Sequence, residues 1–241
     1  MRSPLSPHVL ALDGPFRHEW VHTRGTRLHA ATAGEPNRPL VLLLHDALGG
    51  WFDYQQLIPM LSADFHVAAA TARGFGQSDK PPSGYSIRYA VGDASGLIRA
   101  LGHSDALVVA HGSATKVATT LAANYAQRVI GLVLLDCPRN SRLWDGRRKI
   151  GLARACDRFP HSVAARSLHG ISASDLVELR AQSYRIGGTH SARVKHAKLL
   201  TARLPLNWQA AFVQPREYLA GMPQVTNPEE VVAAIHRVRA T

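Results

Sequence analysis

The stretch Val108–Lys116 (VVAHGSATK) has the layout of a turn that presents a nucleophile. An apolar run leads into a tight turn of small residues, and a helix-like run leaves it. The apex of such a turn holds the Ser or Asp side chain that attacks the substrate, and in this chain the apex is Gly112. Because glycine has no side chain, no covalent intermediate can form at this position.

Two serines near this turn are alternative hydroxyl nucleophiles. Ser113 follows the apex, and a shift of one residue would turn its hydroxyl aside from the position of the attacking group, so we favour a helix start and backbone donor over a nucleophile. Gly102–Ala106 (GHSDA) matches the G-x-S-x-[GA] pattern, but it precedes the apolar run instead of following it. A nucleophile motif needs a strand before it and a helix after it, so we interpret this match as a loop.

Short apolar runs alternate with helix-like segments, which predicts an α/β fold with a largely parallel sheet. The candidates for buried strands are Pro39–Leu44, Phe65–Thr71, Ala106–Ala110 and Val129–Leu135. Two earlier runs alternate between apolar and polar residues and predict an antiparallel hairpin: His18–His22 and Thr26–Ala33. The predicted helices are Phe52–Ser62, Ile87–Leu101, Thr115–Tyr125 and a last helix that begins near Asn227–Glu230.

The formal net charge of +11 comes from one part of the chain. Residues 139–216 hold 15 Lys and Arg against 4 Asp and Glu, which leaves 13 of each elsewhere. We favour a solvated helical surface, and the alternative is a face for an acidic protein, an anionic lipid surface or nucleic acid. No specific nucleic-acid motif accompanies the charge.

The composition of the chain becomes basic and helix-like after residue 138, which suggests that the chain has three parts. These are a core over residues 1–138, a basic helical cap-like insertion over 139–206 (the cap segment), and a C-terminal return to the core over 207–241 with a final helix. The segment Asn207–Gln214 is a candidate strand. A sheet shortened at this end leaves an edge that favours homo- or hetero-oligomers.

Four motifs, in this order and spacing, resemble the α/β-hydrolase fold: LLLHDALGGW (42–51), TARGFGQSDKPPSGY (71–85), VVAHGSA (108–114) and LVLLDCPR (132–139). Within that fold they look most like the epoxide hydrolase and haloalkane dehalogenase group. The resemblance implies a mostly parallel central sheet flanked by helices, with a helical cap and a shortened C-terminal part.

The resemblance also implies an oxyanion hole formed by the backbone N–H groups of Ala47 and Ser113. The family usually has His-Gly-x-Pro after the third strand, and this chain has His45, then Asp46 in place of the glycine and Leu48 in place of the proline. A carboxylate beside an anion-stabilising site opposes developing negative charge unless the carboxylate turns outward.

The other catalytic groups of the family lack clear counterparts. The final motif aligns Gly221 with the position of the family's histidine base. No Gly-x-x-Asp segment supplies the acid, and the candidate acid is Asp136, for which we favour a strand-end role. Histidines later in the chain are interpreted as surface or packing residues: His161, His169, His190, His196 and His236.

These losses predict a non-catalytic pseudoenzyme that acts as a ligand-binding or scaffold protein. Its pocket would hold a small apolar ligand beneath the cap, and the residues predicted to line it are His45, Asp46, Trp51, Phe52, His111 and Met222. The alternative is a residual hydrolase of small esters or epoxides that uses Ser113 or a water activated near Asp136.

Composition excludes several other classes. No apolar run approaches the roughly 18 residues that a membrane span needs, and residues 1–15 lack the continuous apolar run of a secretory signal, so we expect a cytoplasmic protein. Cys137 and Cys156 are too few for a disulfide framework or a zinc site. We therefore expect no metal and no cofactor.

Overall fold

A computed structural model of the chain describes residues 3–137, 143–168, 173–201 and 215–241. Its seven strands are β1 Arg17–Thr23, β2 Thr26–Ala33, β3 Leu40–Leu44, β4 His66–Ala70, β5 Ala106–His111, β6 Val129–Leu135 and β7 Arg216–Leu219. Its helices are α1 Leu57–Leu61, α2 Ile87–Ala100, α3 Ala114–Asn124, α4 Leu143–Ala155, α5 Pro160–Ser167, α6 Ser174–Tyr184, α7 His190–Ala197, α8 Pro223–Thr226 and α9 Pro228–Arg239.

The strands form one sheet in the order β1-β2-β4-β3-β5-β6-β7. β1 pairs antiparallel with β2, which confirms the predicted hairpin, and β2 pairs antiparallel with β4. The remaining neighbours are parallel. The fold prediction is therefore confirmed, and the carboxyl ends of β3, β5, β6 and β7 meet at one edge of the sheet, where open α/β sheets bind ligands.

Apolar side chains cover both faces of the sheet, as the nearly all-apolar strand sequences require. Successive residues of β3 alternate between two buried clusters, so that Val41 and Leu43 join one and Leu40 and Leu42 the other. The first cluster includes residues of α1 and α9, and the second includes residues of α2 and α3. Helices therefore pack on both faces of the sheet and hold the ends of its strands, from which the loops begin.

One predicted helix is broken. We expected a single helix over Phe52–Ser62, whereas the structure has a 3₁₀ turn over Trp51–Tyr54 and then α1. Pro59 has no N–H to donate to the carbonyl of Gln55, and its ring crowds that carbonyl, so an α-helix cannot run continuously through both residues.

The described part of the cap segment forms α4 to α7, which lie over the loop after β3. A third buried cluster joins the two, and it includes Ala47 and Leu48 of that loop with Cys156 and Tyr184 of the cap. The candidate strand Asn207–Gln214 lies outside the described residues. A strand that we did not predict, β7, follows it and pairs parallel with β6.

Within the described ranges, no helix has both the length and the apolar character that crossing a bilayer requires.

Candidate functional site

The turn at Gly112 has the predicted strand-to-helix shape. β5 ends one residue before it and α3 begins two residues after it. Gly112 has φ +55°, in the left-handed region that glycine adopts without strain, and its N–H donates to the carbonyl of Leu135 on the neighbouring strand (2.9 Å). The backbone therefore holds the apex of the turn in place without a nucleophile.

The carboxylate of Asp46 occupies the space beside this apex. A Cβ added to Gly112 would lie 2.6 Å from Asp46 Oδ1, and the same oxygen accepts the backbone N–H of Ser113 (2.7 Å). Asp46 is buried and turns inward, so its carboxylate occupies the space that the missing nucleophile side chain would need. An anion already present at this point opposes the negative charge that acyl or alkyl transfer would develop there.

The hydroxyl of Ser113 fills the other half of the oxyanion hole. Its Oγ accepts the backbone N–H of Ala47 (2.9 Å), the second donor that the sequence implied. Both N–H groups are thus bonded to oxygens of the protein itself. The same Ser113 Oγ lies 2.8 Å from Nδ1 of His196, a residue of α7.

Lys149 of α4 supplies the charge that compensates the buried Asp46. Its Nζ lies 3.6 Å from Asp46 Oδ2 and 3.1 Å from Asp136 Oδ2. Burial raises the pKa of the Asp46 carboxyl, but Lys149 and the Ser113 N–H outweigh burial and hold this pKa well below its ordinary value. The lysine therefore stabilises an ionised carboxylate at the elbow.

Three histidines surround the elbow, and each is neutral at physiological pH. Burial lowers the pKa of His45 to about 4, of His111 to about 3 and of His196 to about 4. His45 Nδ1 donates to the carbonyl of Asp46 (2.8 Å), while its Nε2 accepts the N–H of Ala72 (3.1 Å). Neither ring nitrogen of His111 has a hydrogen-bond partner within the described part of the chain.

A small cavity lies beside the elbow, enclosed by the ends of β3 and β4, by α2 and α3, and by α7 of the cap. Its volume is about 60 Å³. His45, His196 and the Arg73–Asp93 ion pair form its polar part. The apolar part of the lining includes Leu44, Ala70, Leu97, Val117, Ala192 and Leu199.

Comparison with known proteins identifies the fold family. Residues 39–176 match the family described as alpha/beta hydrolase fold. The chain is an α/β hydrolase by family.

Curated relatives of this α/β hydrolase include epoxide hydrolases, and the chain matches only part of each. Epoxide hydrolase B of Mycobacterium tuberculosis is 36% identical over 140 residues, which are 56% of this chain and 38% of that protein. The soluble epoxide hydrolase of Corynebacterium sp. strain C12 is 33% identical over 147 residues, covering 61% of this chain and 47% of that protein. The chain thus matches less than half the length of these relatives.

Solved structures show the same fold over nearly the whole chain. Epoxide hydrolase A from Mycobacterium thermoresistibile superposes with a TM-score of 0.73 at 21% identity, covering 92% of this chain and 98% of that one. Cfl2 from Burkholderia cenocepacia gives a TM-score of 0.76 at 15% identity, covering 94% and 95%. At these identities the superpositions establish the α/β-hydrolase fold.

The structure separates the remaining predicted site residues. Gly221 is exposed and has φ +67°. It lies in the connection between β7, the seventh strand of the sheet, and the last two described helices. Asp136 directly follows β6, has φ +47° and pairs with Lys149. Trp51 and Phe52 are core residues beside a separate cavity of about 10 Å³. Met222 packs against the core cluster and contacts Arg180 through its sulfur (3.8 Å).

Sequence reasoning missed two residues that this α/β hydrolase brings to its elbow. We interpreted His196 as a surface or packing residue, and Lys149 was one cation among many in the basic segment. Both come from cap helices whose position over the sheet no local pattern encodes. Part of the segment's positive charge is also buried, on the side chains of Arg180 and Arg193.

Proposed function

We propose that this chain is a non-catalytic α/β hydrolase that binds a small apolar ligand beneath its cap. The observation that carries the proposal is the carboxylate of Asp46, which occupies the space beside Gly112 and takes the Ser113 N–H. In this arrangement the elbow lacks a nucleophile and the oxyanion hole lacks a free donor. Ester and epoxide hydrolysis by the usual route of the fold require both.

The cavity supports an apolar ligand of a few heavy atoms. One water needs about 10–15 Å³ of such space, and the cavity has about 60 Å³ with a mostly apolar wall. The neutral rings of His45 and His196 offer hydrogen bonds at one side of it. A small alcohol, ether or epoxide matches this combination, because it is apolar with one oxygen that can bond to an imidazole.

The first test measures binding. Isothermal titration of small alkyl epoxides, the matching diols and alkanols should give saturable binding at one site. Ala192→Leu adds bulk to the cavity wall and should weaken binding by roughly tenfold or more, a loss of about 1.4 kcal/mol. The matched control Ala165→Leu, at an exposed alanine of α5, should bind as the parent does. Absence of binding, or equal weakening by both variants, would contradict the proposal.

A second candidate function is favoured by the 2.8 Å contact between Ser113 Oγ and His196 Nδ1. A neutral imidazole can accept the hydroxyl proton while Oγ attacks the carbonyl carbon of a small ester. The alcohol would leave with that proton, and water would then hydrolyse the acyl-serine. This route requires the Ala47 N–H to leave Ser113 Oγ and to bond to the oxyanion instead.

Assays with a short acyl ester and a small epoxide distinguish the two candidates. We expect no turnover above the buffer rate. Turnover that is lost in Ser113→Ala and His196→Ala, but kept in the surface control Ser104→Ala, would establish the hydrolase and overturn the non-catalytic proposal. Turnover lost only in Asp136→Asn would point to a water activated near Asp136 and would overturn it as well.

A further inference from the structure

A cluster of potential metal ligands lies in the cap, apart from the elbow. Cys156 and Asp157 follow the end of α4, and His190 begins α7. Cys156 Sγ lies 3.4 Å from Asp157 Oδ1, and His190 Nδ1 lies 2.7 Å from Asp157 Oδ2. One donor atom from each residue lies within 4.8 Å of the other two.

The separation of Cys156 Sγ and Asp157 Oδ1 suits a tetrahedral ion. With Zn–S near 2.3 Å and Zn–O near 2.0 Å, two ligands at the tetrahedral angle are about 3.5 Å apart, close to the observed sulfur–oxygen separation. Sulfur, imidazole nitrogen and carboxylate oxygen together are a donor set typical of zinc. The His190 Nδ1–Asp157 Oδ2 separation of 2.7 Å is shorter than the roughly 3.3 Å between a nitrogen and an oxygen ligand at the tetrahedral angle, so these two side chains would move apart to hold the ion.

We propose that Cys156, Asp157 and His190 bind a divalent transition metal ion, with zinc the preferred ion and the fourth position open. Asp157 and His190 line a surface groove of about 630 Å³, whereas Cys156 is buried. Three protein ligands with an accessible fourth position are the arrangement that lets a zinc ion bind water or a further ligand. The groove is also lined by Phe159, His161, Tyr184 and Arg185.

Two cationic side chains, Arg158 and Arg193, lie near the cluster. Arg158 stacks on the ring of Phe159, and Arg193 lies over the rings of Phe75 and Tyr184, so both guanidinium groups are held by aromatic faces. Burial raises the pKa of the Cys156 thiol to about 12. This raised pKa opposes binding, because a metal ion coordinates the thiolate and must displace the thiol proton.

Cobalt(II) titration of the reduced full chain tests the site. We expect a near-ultraviolet thiolate-to-cobalt band that saturates at one equivalent and disappears when zinc is added. The band should be lost in Cys156→Ser and strongly weakened in His190→Ala. The controls Cys137→Ser, at the second cysteine, and His161→Ala, at a groove histidine outside the cluster, should bind as the parent does.

Two outcomes overturn the proposal. Absence of a thiolate band would leave Asp157 and His190 as an ordinary surface ion pair. Binding of equal strength in all variants would place the metal elsewhere. Because Cys156 is buried, the circular dichroism and melting temperature of its variant are measured first, and His190→Ala, at a half-exposed side chain, tests the site without disturbing the core.

Discussion

Replacing Lys149 with methionine isolates the charge that balances the carboxylate at the elbow. Methionine has a similar length and no charge, so the variant leaves Asp46 buried without its cation. With an effective dielectric constant near 20, unit charges at the observed 3.6 Å interact by about 4–5 kcal/mol. A quarter of the Lys149 side chain is exposed, which weakens this interaction, and we expect the free energy of unfolding to fall by about 2–4 kcal/mol.

Urea and thermal denaturation followed by circular dichroism measure the loss. For a domain of this size, about 2–4 °C in melting temperature accompanies each kcal/mol, so the transition should move down by roughly 5–15 °C. The matched control Arg148→Met, at an exposed cation of the same helix, should change stability by less than about 0.5 kcal/mol. A double-mutant cycle that combines Lys149→Met with Asp46→Asn should assign most of this loss to the interaction between the two side chains.

The pH dependence gives a second signature. The folded-state pKa of Asp46 lies below its unfolded value, so the ion pair stabilises the fold above about pH 4 and this contribution is lost as the pH falls. Without Lys149, burial raises that pKa, and protonation of Asp46 removes the unpaired charge. The difference in stability between parent and variant should therefore shrink on acidification. A loss under 1 kcal/mol, a coupling energy near zero, or a difference that does not vary with pH would refute the reasoning.

Three further predictions concern stability. Gly112→Ala should lower the free energy of unfolding by about 1–3 kcal/mol in urea denaturation, because φ is positive there and the added Cβ would clash with Asp46. Gly221→Ala, also at positive φ but with no atom within 4 Å of the added Cβ, should cost about 1 kcal/mol. Equal losses would contradict this prediction. Arg180→Met leaves the buried Asp53 carboxylate, 2.9 Å from its guanidinium, unpaired and should cost about 3–5 kcal/mol in the same assay. Four buried histidines have folded-state pKa values near 3 or 4: His29, His45, His111 and His196. The free energy of unfolding should therefore fall as the pH drops from about 6.5 toward 4, by up to about 1.4 kcal/mol per pH unit for each histidine. Urea midpoints at pH 7 and pH 5 measure this loss, and equal midpoints would contradict neutral burial of these rings.

Much of the fold could be predicted because the apolar sequences of the strands indicate that these strands are buried. Apolar runs such as Leu40–Leu44 and Val129–Leu135 are covered on both faces, and the alternating pair around Arg24 and Gly25 forms the hairpin. β7 was missed because its four residues, Arg216–Leu219, include two charged side chains and are only partly buried. A short edge strand carries no continuous apolar signal.

The cap contacts could not be predicted, because they join residues far apart in sequence. Arg180 pairs with Asp53 in the core, and donor atoms of His190 and Cys156 lie within 4.8 Å of each other although α5 and α6 separate these residues in the chain. The sequence showed these residues only as members of a basic, helical segment. Which cations turn inward depends on the carboxylates that the fold presents to them.

The sequence by itself determined that the apex of the elbow is glycine and that an aspartate replaces the usual glycine after β3, because residue identity alone decides which groups can react. Only the tertiary structure decided what these two changes do together. The loop after β3 packs against the start of α3, so the carboxylate of Asp46 enters the space that Gly112 leaves open, and the cap brings Lys149 and His196 to it. That proximity follows from packing between separate elements, which no single stretch of sequence encodes.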